Sequence, residues 1–231
     1  MPGWHNATKK WQQEGKIQMA GIIEEQHPDR ARLFMQWKQM RWPVLVDSLD
    51  VLGVSAVPIT LAIDEYGVIR MVDPDPTEIE EKFIDKVFEK PASIPPPVDK
   101  AQDLAALRQA TQQDTSSTWS GYANALIEWG GPERTLEAIR AYKHALRLEP
   151  GSGSLHFRLG VAYRKRYDSS FRQPEDFQKA VEQWSAALEI DPNQYIWRRR
   201  IQQYQVEMTP QRFIGSRSGE IPGSWWRRSS W

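Results

Sequence analysis

The sequence predicts an α/β domain followed by an all-α domain. Up to about residue 90, short apolar runs alternate with helical patterns, which is typical of α/β folds. The stretch KPASIPPPVDK at 90–100 then interrupts both patterns, and its three consecutive prolines favour an extended spacer. Beyond it, apolar residues recur at helical spacing only. We therefore predict an α/β domain at 1–90, a proline-rich linker at 91–100, a helical domain at 101–208 and a disordered tail at 209–231.

Each element of the first domain has a local signal. Gly15 predicts a break after the first helix, and DEYG at 64–67 predicts a turn joining two strands of a hairpin. Thr77 and Glu80 match a capping box at the start of the last helix. The predicted order is helix 5–14, strand 16–23, helix 27–40, strands 42–48, 59–64 and 68–72, and helix 76–90.

A repeated spacing organises the second domain. Four residues of one segment recur 42 residues later with the same intervals, and each segment follows a helical pattern that carries a small residue. The matching sets are Ala138, Tyr142, Ala145 and Pro150, then Ala180, Trp184, Ala187 and Pro192. The preceding helices carry Trp119, Tyr122, Ala123 and Leu126 in the first segment, and Leu159, Gly160 and Tyr163 in the second. An ordinary helical bundle would not predict this agreement.

These residues resemble the tetratricopeptide repeat over 117–192, with insertions GGPER and KRYDSSFRQPEDF that lengthen the usual period of about 34 residues. The helix at 195–208 would cap the array. The resemblance implies a groove that binds protein or peptide partners, with Arg164 and Lys165 facing an acidic or C-terminal carboxylate. The alternative is that the groove serves only docking within the chain. By the repeat register the groove residues are Asn124, Phe157, Val161, Arg164 and Lys165.

The first domain contains WPVLVDSLDVLGVSAVPITLAIDEYGVIR at 42–70, which resembles the redoxin branch of the thioredoxin superfamily. The resemblance implies that the Val57–Pro58 bond is cis, and that Val57, Pro58 and Ile59 present backbone to a peptide or thiol substrate. Pro58 could instead be a plain proline at the entry of a strand.

The chemistry of that family is absent from the chain. In MPGWH, Met1 and Trp4 stand where a Cys-Pro-Gly-Cys-His active site would carry its cysteines, although the stretch could also be an unstructured tail. The chain contains no cysteine, so it has no thiolate for thiol–disulfide exchange. The strand that precedes the active-site helix in this family is also missing. The α/β domain is therefore expected to be incomplete at its N-terminus, either because it is degenerate or because Met1 is an internal start.

Composition excludes several classes of function. There are 30 basic and 30 acidic residues, so no global charge favours nucleic acid. The four histidines are scattered, and we predict no metal site and no cofactor. No apolar run is long enough to predict a membrane span. The sequence predicts a cytoplasmic protein if Met1 is the true start, and an exported one if a signal segment precedes it.

Taken together, these observations predict a non-catalytic protein that binds protein or peptide partners. The alternative is that the chain is a fragment or variant of a thiol–disulfide oxidoreductase or a peroxiredoxin-like antioxidant enzyme.

Overall fold

The structure is a computed structural model that describes residues 2–24, 28–55, 57–94 and 103–202. A first part with helices and a few short strands is followed by a part built of helices, which confirms the predicted order at this level. Most of the predicted linker, at 95–100, and the whole predicted tail lie outside the described residues.

The first helix, α1, spans Pro2–Gln13 and ends at the predicted glycine. Gly15 has a φ of 70°, a left-handed conformation that costs glycine little. The amide of Lys16 donates to the carbonyl of Trp11 at 2.9 Å, which closes the helix end. The predicted strand at 16–23 is shorter in the structure, because only β1, Gly21–Ile23, forms a ladder.

Two pairs of strands follow. Helix α2, Pro28–Trp37, leads to β2, Val44–Val46, and β2 pairs in parallel with β1. Strands β3, Leu61–Ile63, and β4, Ile69–Val72, form the predicted antiparallel hairpin, with a register shift between Ala62 and Ile63. Among the described strands, the two pairs form separate two-stranded sheets.

The hairpin turn is held by one carboxylate. Asp64 Oδ1 accepts the amides of Tyr66 and Val68, each at 2.9 Å, and Asp64 Oδ2 accepts Arg70 Nε at 2.6 Å. These bonds lower the pKa of Asp64 against the opposing effect of burial, which is the largest single influence. Gly67 takes a φ of 80°, as its place in the turn requires.

The prediction of a helix at 76–90 is wrong. The structure has only a short π-helix at Glu80–Ile84, without a side-chain cap. Thr77 Oγ1 donates to Asp75 Oδ1 at 2.7 Å, so it is engaged in a local turn and not in a capping box. Val87, placed on the apolar stripe, is 92% exposed. A short helix without a packed apolar face is marginal in water, which explains why the pattern did not produce one.

The second part begins with a short helix and continues as two helical hairpins. The first predicted insertion, at 130–134, falls in the turn between paired helices, whereas the second, at 165–177, covers the turn at 168–175 and extends into the ends of the two helices that it joins. The predicted capping helix starts at residue 195 as expected, and its predicted end at 208 lies outside the described residues. The helices are α3 Leu104–Ala110, α4 Ser116–Trp129, α5 Thr135–Leu148, α6 Gly153–Tyr167, α7 Asp176–Ile190 and α8 Tyr195–Gln202.

The repeated residues occupy equivalent positions in the core. Ala138 and Ala180, Tyr142 and Trp184, and Ala145 and Ala187 are all 0% exposed. Gly160 of α6 faces Trp184 of α7 so closely that an added Cβ would lie 2.4 Å from the indole nitrogen. That nitrogen donates to the carbonyl of Phe157 at 3.1 Å. The close crossing therefore requires glycine.

An ion pair also links α6 to α7. Arg166 Nε donates to Asp176 Oδ2 at 3.0 Å, and the guanidinium contacts the other carboxylate oxygen as well. Asp176 is 0% exposed and Arg166 is 8% exposed, so the pair is shielded from water.

The two parts differ in how much apolar surface they bury. Apart from Leu49, the main core cluster consists of residues of the helical part, whereas apolar residues on each of the described strands of the first part are exposed. Examples are Ile22 at 44%, Leu45 at 59%, Ile63 at 51% and Ile69 at 53% exposed. The first part therefore has a weak core of its own.

Candidate functional site

Of the two residues that the resemblance places at an active site, Trp4 lies in the first turn of a helix. Met1 lies outside the described residues, while Trp4 and His5 belong to α1 and are half-buried. The ring of His5 packs edge-on against Trp42, with 4.9 Å between ring centroids. Backbone amides of a first helical turn favour an anion, but neither Trp4 nor His5 supplies a thiolate there.

The loop predicted to hold substrate is on the surface. The Val57–Pro58 peptide bond is cis, as the resemblance implied. Val57 is 48% and Ile59 is 41% exposed, so both are accessible, as is Pro58. The amide of Thr60 donates to Asp73 Oδ1 at 2.8 Å, which ties the entry of β3 to the end of β4.

The predicted groove residues contact other residues of the helical part. Asn124 accepts a hydrogen bond from the hydroxyl of Tyr142 at 2.7 Å. Phe157 is 0% exposed and stacks on Trp197, with 5.8 Å between ring centroids. Arg164 is 5% exposed and bonds to Asp168 at 2.9 Å, and Lys165 donates to the carbonyl of Ile127. The structure does not gather these four residues on an open surface.

A different surface carries the open cavity. A cavity of about 360 Å³ lies between α3, α4 and α5. Four exposed cationic side chains and two aromatic residues contribute to its lining, and we call it the basic cavity. Those residues are Arg108, Arg140, Lys143, Arg147, Trp119 and Tyr122.

The acidic groups at the basic cavity already have hydrogen-bond partners. Glu137 accepts the hydroxyl of Tyr122 and Arg134 Nε, the latter at 2.9 Å. Burial raises the pKa of Glu137, but these two hydrogen bonds outweigh it and hold the pKa below its ordinary value. Asp114, next to the cavity, accepts Trp119 Nε1 at 2.9 Å and contacts His144 Nε2 at 2.6 Å. The hydrogen bond from Trp119 leads the effects that lower the pKa of Asp114. The four cations of the cavity are exposed, although Arg147 also contacts His144 Nδ1 at 2.6 Å.

A second assembled surface joins the two parts of the chain. The segment 47–55, here called the docking loop, follows β2 and lies against α6 and α8. Arg158 of α6 and Trp197 and Arg200 of α8 all donate hydrogen bonds to it. Sequence reasoning missed these three residues because nothing local to them marks a partner more than 100 positions away.

Three acidic groups with raised pKa values lie at this junction. Burial, reinforced by Asp47 and Asp50, raises the pKa of Glu24 to about 8. Burial also raises the pKa of Asp50, opposed by the hydrogen bond from Trp197. Partial burial raises the pKa of Glu128, a shift that Lys165 opposes most, and burial lowers the pKa of Lys165 itself. The junction therefore holds titratable groups whose charged forms are disfavoured.

In the described ranges, no helix is both long enough and apolar enough to cross a membrane. Those same residues contain no group of three or more side chains placed to hold a metal ion.

Comparison with known proteins gave no relative. The chain matches no model of a known protein family, and a search of curated proteins found no match.

Proposed function

We propose that this chain is a non-catalytic binding protein in which a thioredoxin-like half accompanies a short tetratricopeptide array. The observation that carries the proposal is the equivalence of the two helical hairpins. Residues 42 positions apart, such as Ala138 and Ala180, are both fully buried at matching crossings. Arrays of this kind bury a continuous core between repeats and use their outer surfaces to bind partners.

The basic cavity is the surface proposed to bind the partner. Its cations are exposed, while Glu137 is held chiefly by Tyr122 and Arg134. Guanidinium groups bind carboxylates through paired hydrogen bonds, and aromatic side chains add apolar contact area. The partner proposed is therefore an acidic peptide segment of another protein.

Fluorescence anisotropy with a labelled five-residue glutamate peptide tests this proposal. The wild-type chain is expected to bind it, and binding is expected to weaken as salt rises, because exposed charges are screened. Replacing Arg140 and Lys143 together by alanine is expected to weaken binding about tenfold or more, since a hydrogen bond to a charged group contributes about 1.5–3 kcal/mol.

Lys9→Ala is the matched control, because Lys9 is an exposed cation on α1, outside the cavity. It should leave binding unchanged. Equal binding by the wild type and the double variant would contradict the proposal, as would equal binding of a five-residue glutamine peptide.

An oxidoreductase ancestry is the second candidate, and the position of Trp4 favours it. Trp4 lies in the first turn of α1, where a thioredoxin-like protein carries its reactive cysteine. In that case the activity belongs to a form of the protein with thiols at positions 1 and 4. An insulin-reduction assay with dithiothreitol separates the two functions: the chain as written should match the buffer rate, and a clear acceleration would overturn the non-catalytic proposal.

A further inference from the structure

The docking loop places one leucine in the core of the helical part. Leu49 is 1% exposed and belongs to the main hydrophobic cluster, together with Phe157 and Trp197. Val54, at the other end of the loop, packs against the same cluster. The first part of the chain therefore contacts the array through an inserted apolar side chain.

The array holds the loop mostly by its backbone. Arg158 Nε donates to the carbonyl of Leu49 at 3.0 Å, and Arg158 Nη2 donates to that of Asp50 at 3.2 Å. Arg200 Nη2 donates to the carbonyl of Ser48 at 3.3 Å. Three successive carbonyls are thus bound by two arginines. Contacts of this kind recognise a backbone shape and tolerate many side chains.

One side chain of the loop is recognised directly. Trp197 Nε1 donates to Asp50 Oδ2 at 3.0 Å, and this hydrogen bond is buried. Asp50 has a φ of 50°, so the chain turns sharply directly after Leu49. The array therefore contacts three features of the loop, which are a leucine, an acidic residue and this turn.

The loop is also organised by its own residues. Asp47 Oδ1 accepts the amides of Leu49 and Val51 at 3.2 and 3.0 Å, and Asp47 Oδ2 accepts that of Leu52 at 3.1 Å. Because these bonds lie within the loop, a short segment with the same residues can form the same turn without the rest of the domain.

We propose that the face formed by α6 and α8 is a binding site for a short turn in which a leucine is followed by an acidic residue. In this chain Ser48–Leu49–Asp50 occupies that site, and a partner protein with such a turn binds by displacing it. The array would then have two binding surfaces: the basic cavity and this face, which the chain keeps closed by itself. The second surface does not depend on the first.

A peptide supplied in trans tests the proposal. The labelled peptide LVDSLDVLGVS, which copies residues 45–55, is titrated into the full chain and followed by anisotropy. The wild type is expected to bind it weakly, because the site is occupied. Leu49→Asp places a charge in an apolar site, so the loop should leave it and the variant should bind the peptide at least tenfold more tightly.

Two further variants test whether a change in peptide binding by Leu49→Asp comes from a folding defect. Asp50→Gly keeps a residue suited to a positive φ and removes only the carboxylate that Trp197 binds, so it should bind the peptide with intermediate affinity. Adding Arg158→Ala to Leu49→Asp should weaken the gained binding, because the peptide carbonyls equivalent to those of Leu49 and Asp50 lose their donor. Circular dichroism at 222 nm confirms that each variant keeps its helices.

The proposal is overturned if helical Leu49→Asp and Asp50→Gly bind the peptide no better than the wild type. It is also overturned if a peptide with serine in place of its Leu49-equivalent binds equally well, because the leucine would then not be read. Binding of the glutamate peptide to the basic cavity is measured separately, so failure of either site is recognised independently.

Discussion

Gly160 gives the sharpest test of the packing between α6 and α7. In Gly160→Ala the new Cβ would lie 2.4 Å from Trp184 Nε1, 2.5 Å from its Cδ1 and 3.0 Å from the carbonyl oxygen of Ala180. Contacts this short force the indole to move, and Trp184 is fully buried, with little space to receive it. The variant is therefore expected to unfold more easily than the wild type.

The change in the free energy of unfolding combines one stabilising contribution with two destabilising ones. Alanine gains about 1 kcal/mol over glycine in a helix interior. Overpacking a core costs about 1–3 kcal/mol, and losing the bond from Trp184 to the carbonyl of Phe157 leaves a buried polar group, at about 1–3 kcal/mol. The net loss is expected at about 1–5 kcal/mol in the free energy of unfolding.

Gly121→Ala is the matched control, because Gly121 lies inside α4 with nothing within 4 Å of an added Cβ. It should stabilise the chain by up to about 1 kcal/mol. Urea unfolding followed by circular dichroism measures both variants. If Gly160→Ala proves as stable as the wild type while Gly121→Ala behaves as expected, the close crossing at Trp184 is refuted.

Three further predictions concern single side chains. Asp176→Asn leaves Arg166 buried without a counter-charge, which should cost about 3–5 kcal/mol in the free energy of unfolding by urea. Glu24 has a pKa of about 8 in the folded protein against 4.5 in the unfolded chain. Between these values the folded state keeps a proton that the unfolded state releases, so thermal stability should fall as pH rises, and Glu24→Gln should flatten that dependence. Trp4→Cys places a thiol in the first turn of α1, where its pKa, measured by the rate of alkylation against pH, should lie below the ordinary value of about 8.5.

Each of these has a matched comparison. Glu175→Gln removes an exposed partner of Lys179 and should change stability little, so an equal effect in Asp176→Asn would contradict the buried pair. A melting temperature with the same pH slope in wild type and Glu24→Gln would exclude that carboxyl as the source. Lys9→Cys, exposed and further along α1, should show an ordinary thiol pKa. Equal thiol pKa values at positions 4 and 9 would contradict the expectation that the helix N-terminus lowers the pKa at position 4.

Local signals in the sequence predicted the local structure. Gly15 ends a helix, Asp64 to Gly67 form a turn, and the repeated alanines lie at buried crossings, because each depends on residues nearby in the chain. The helix expected at 76–90 failed for the complementary reason. Its apolar stripe has the right period, but Val87 finds no surface to pack against.

The candidate sites were harder to predict. The register placed Phe157 and Arg164 on a groove, but the chain fills the space beside Phe157 with Trp197 and pairs Arg164 with Asp168. The contact of Arg158 with Leu49 joins residues 109 positions apart. Every residue has a backbone carbonyl, so the residue type at position 49 does not indicate this hydrogen bond. Surfaces made in this way are seen only once the chain is folded.

The docking loop also sets where the first part of the chain is held most firmly. The amide of Asp47, the first residue of the loop, donates to the carbonyl of Ile23 at 2.9 Å and so extends the ladder between β1 and β2. A two-stranded sheet is only marginally stable alone, so we expect the contact between the docking loop and the helical part to stabilise this ladder. Hydrogen exchange in the first part should therefore be slowest beside Asp47 and faster in the β3–β4 hairpin. Releasing Leu49 from the helical part would remove this difference in exchange rate. The first part of the chain would then lose order because of a change at the face formed by α6 and α8.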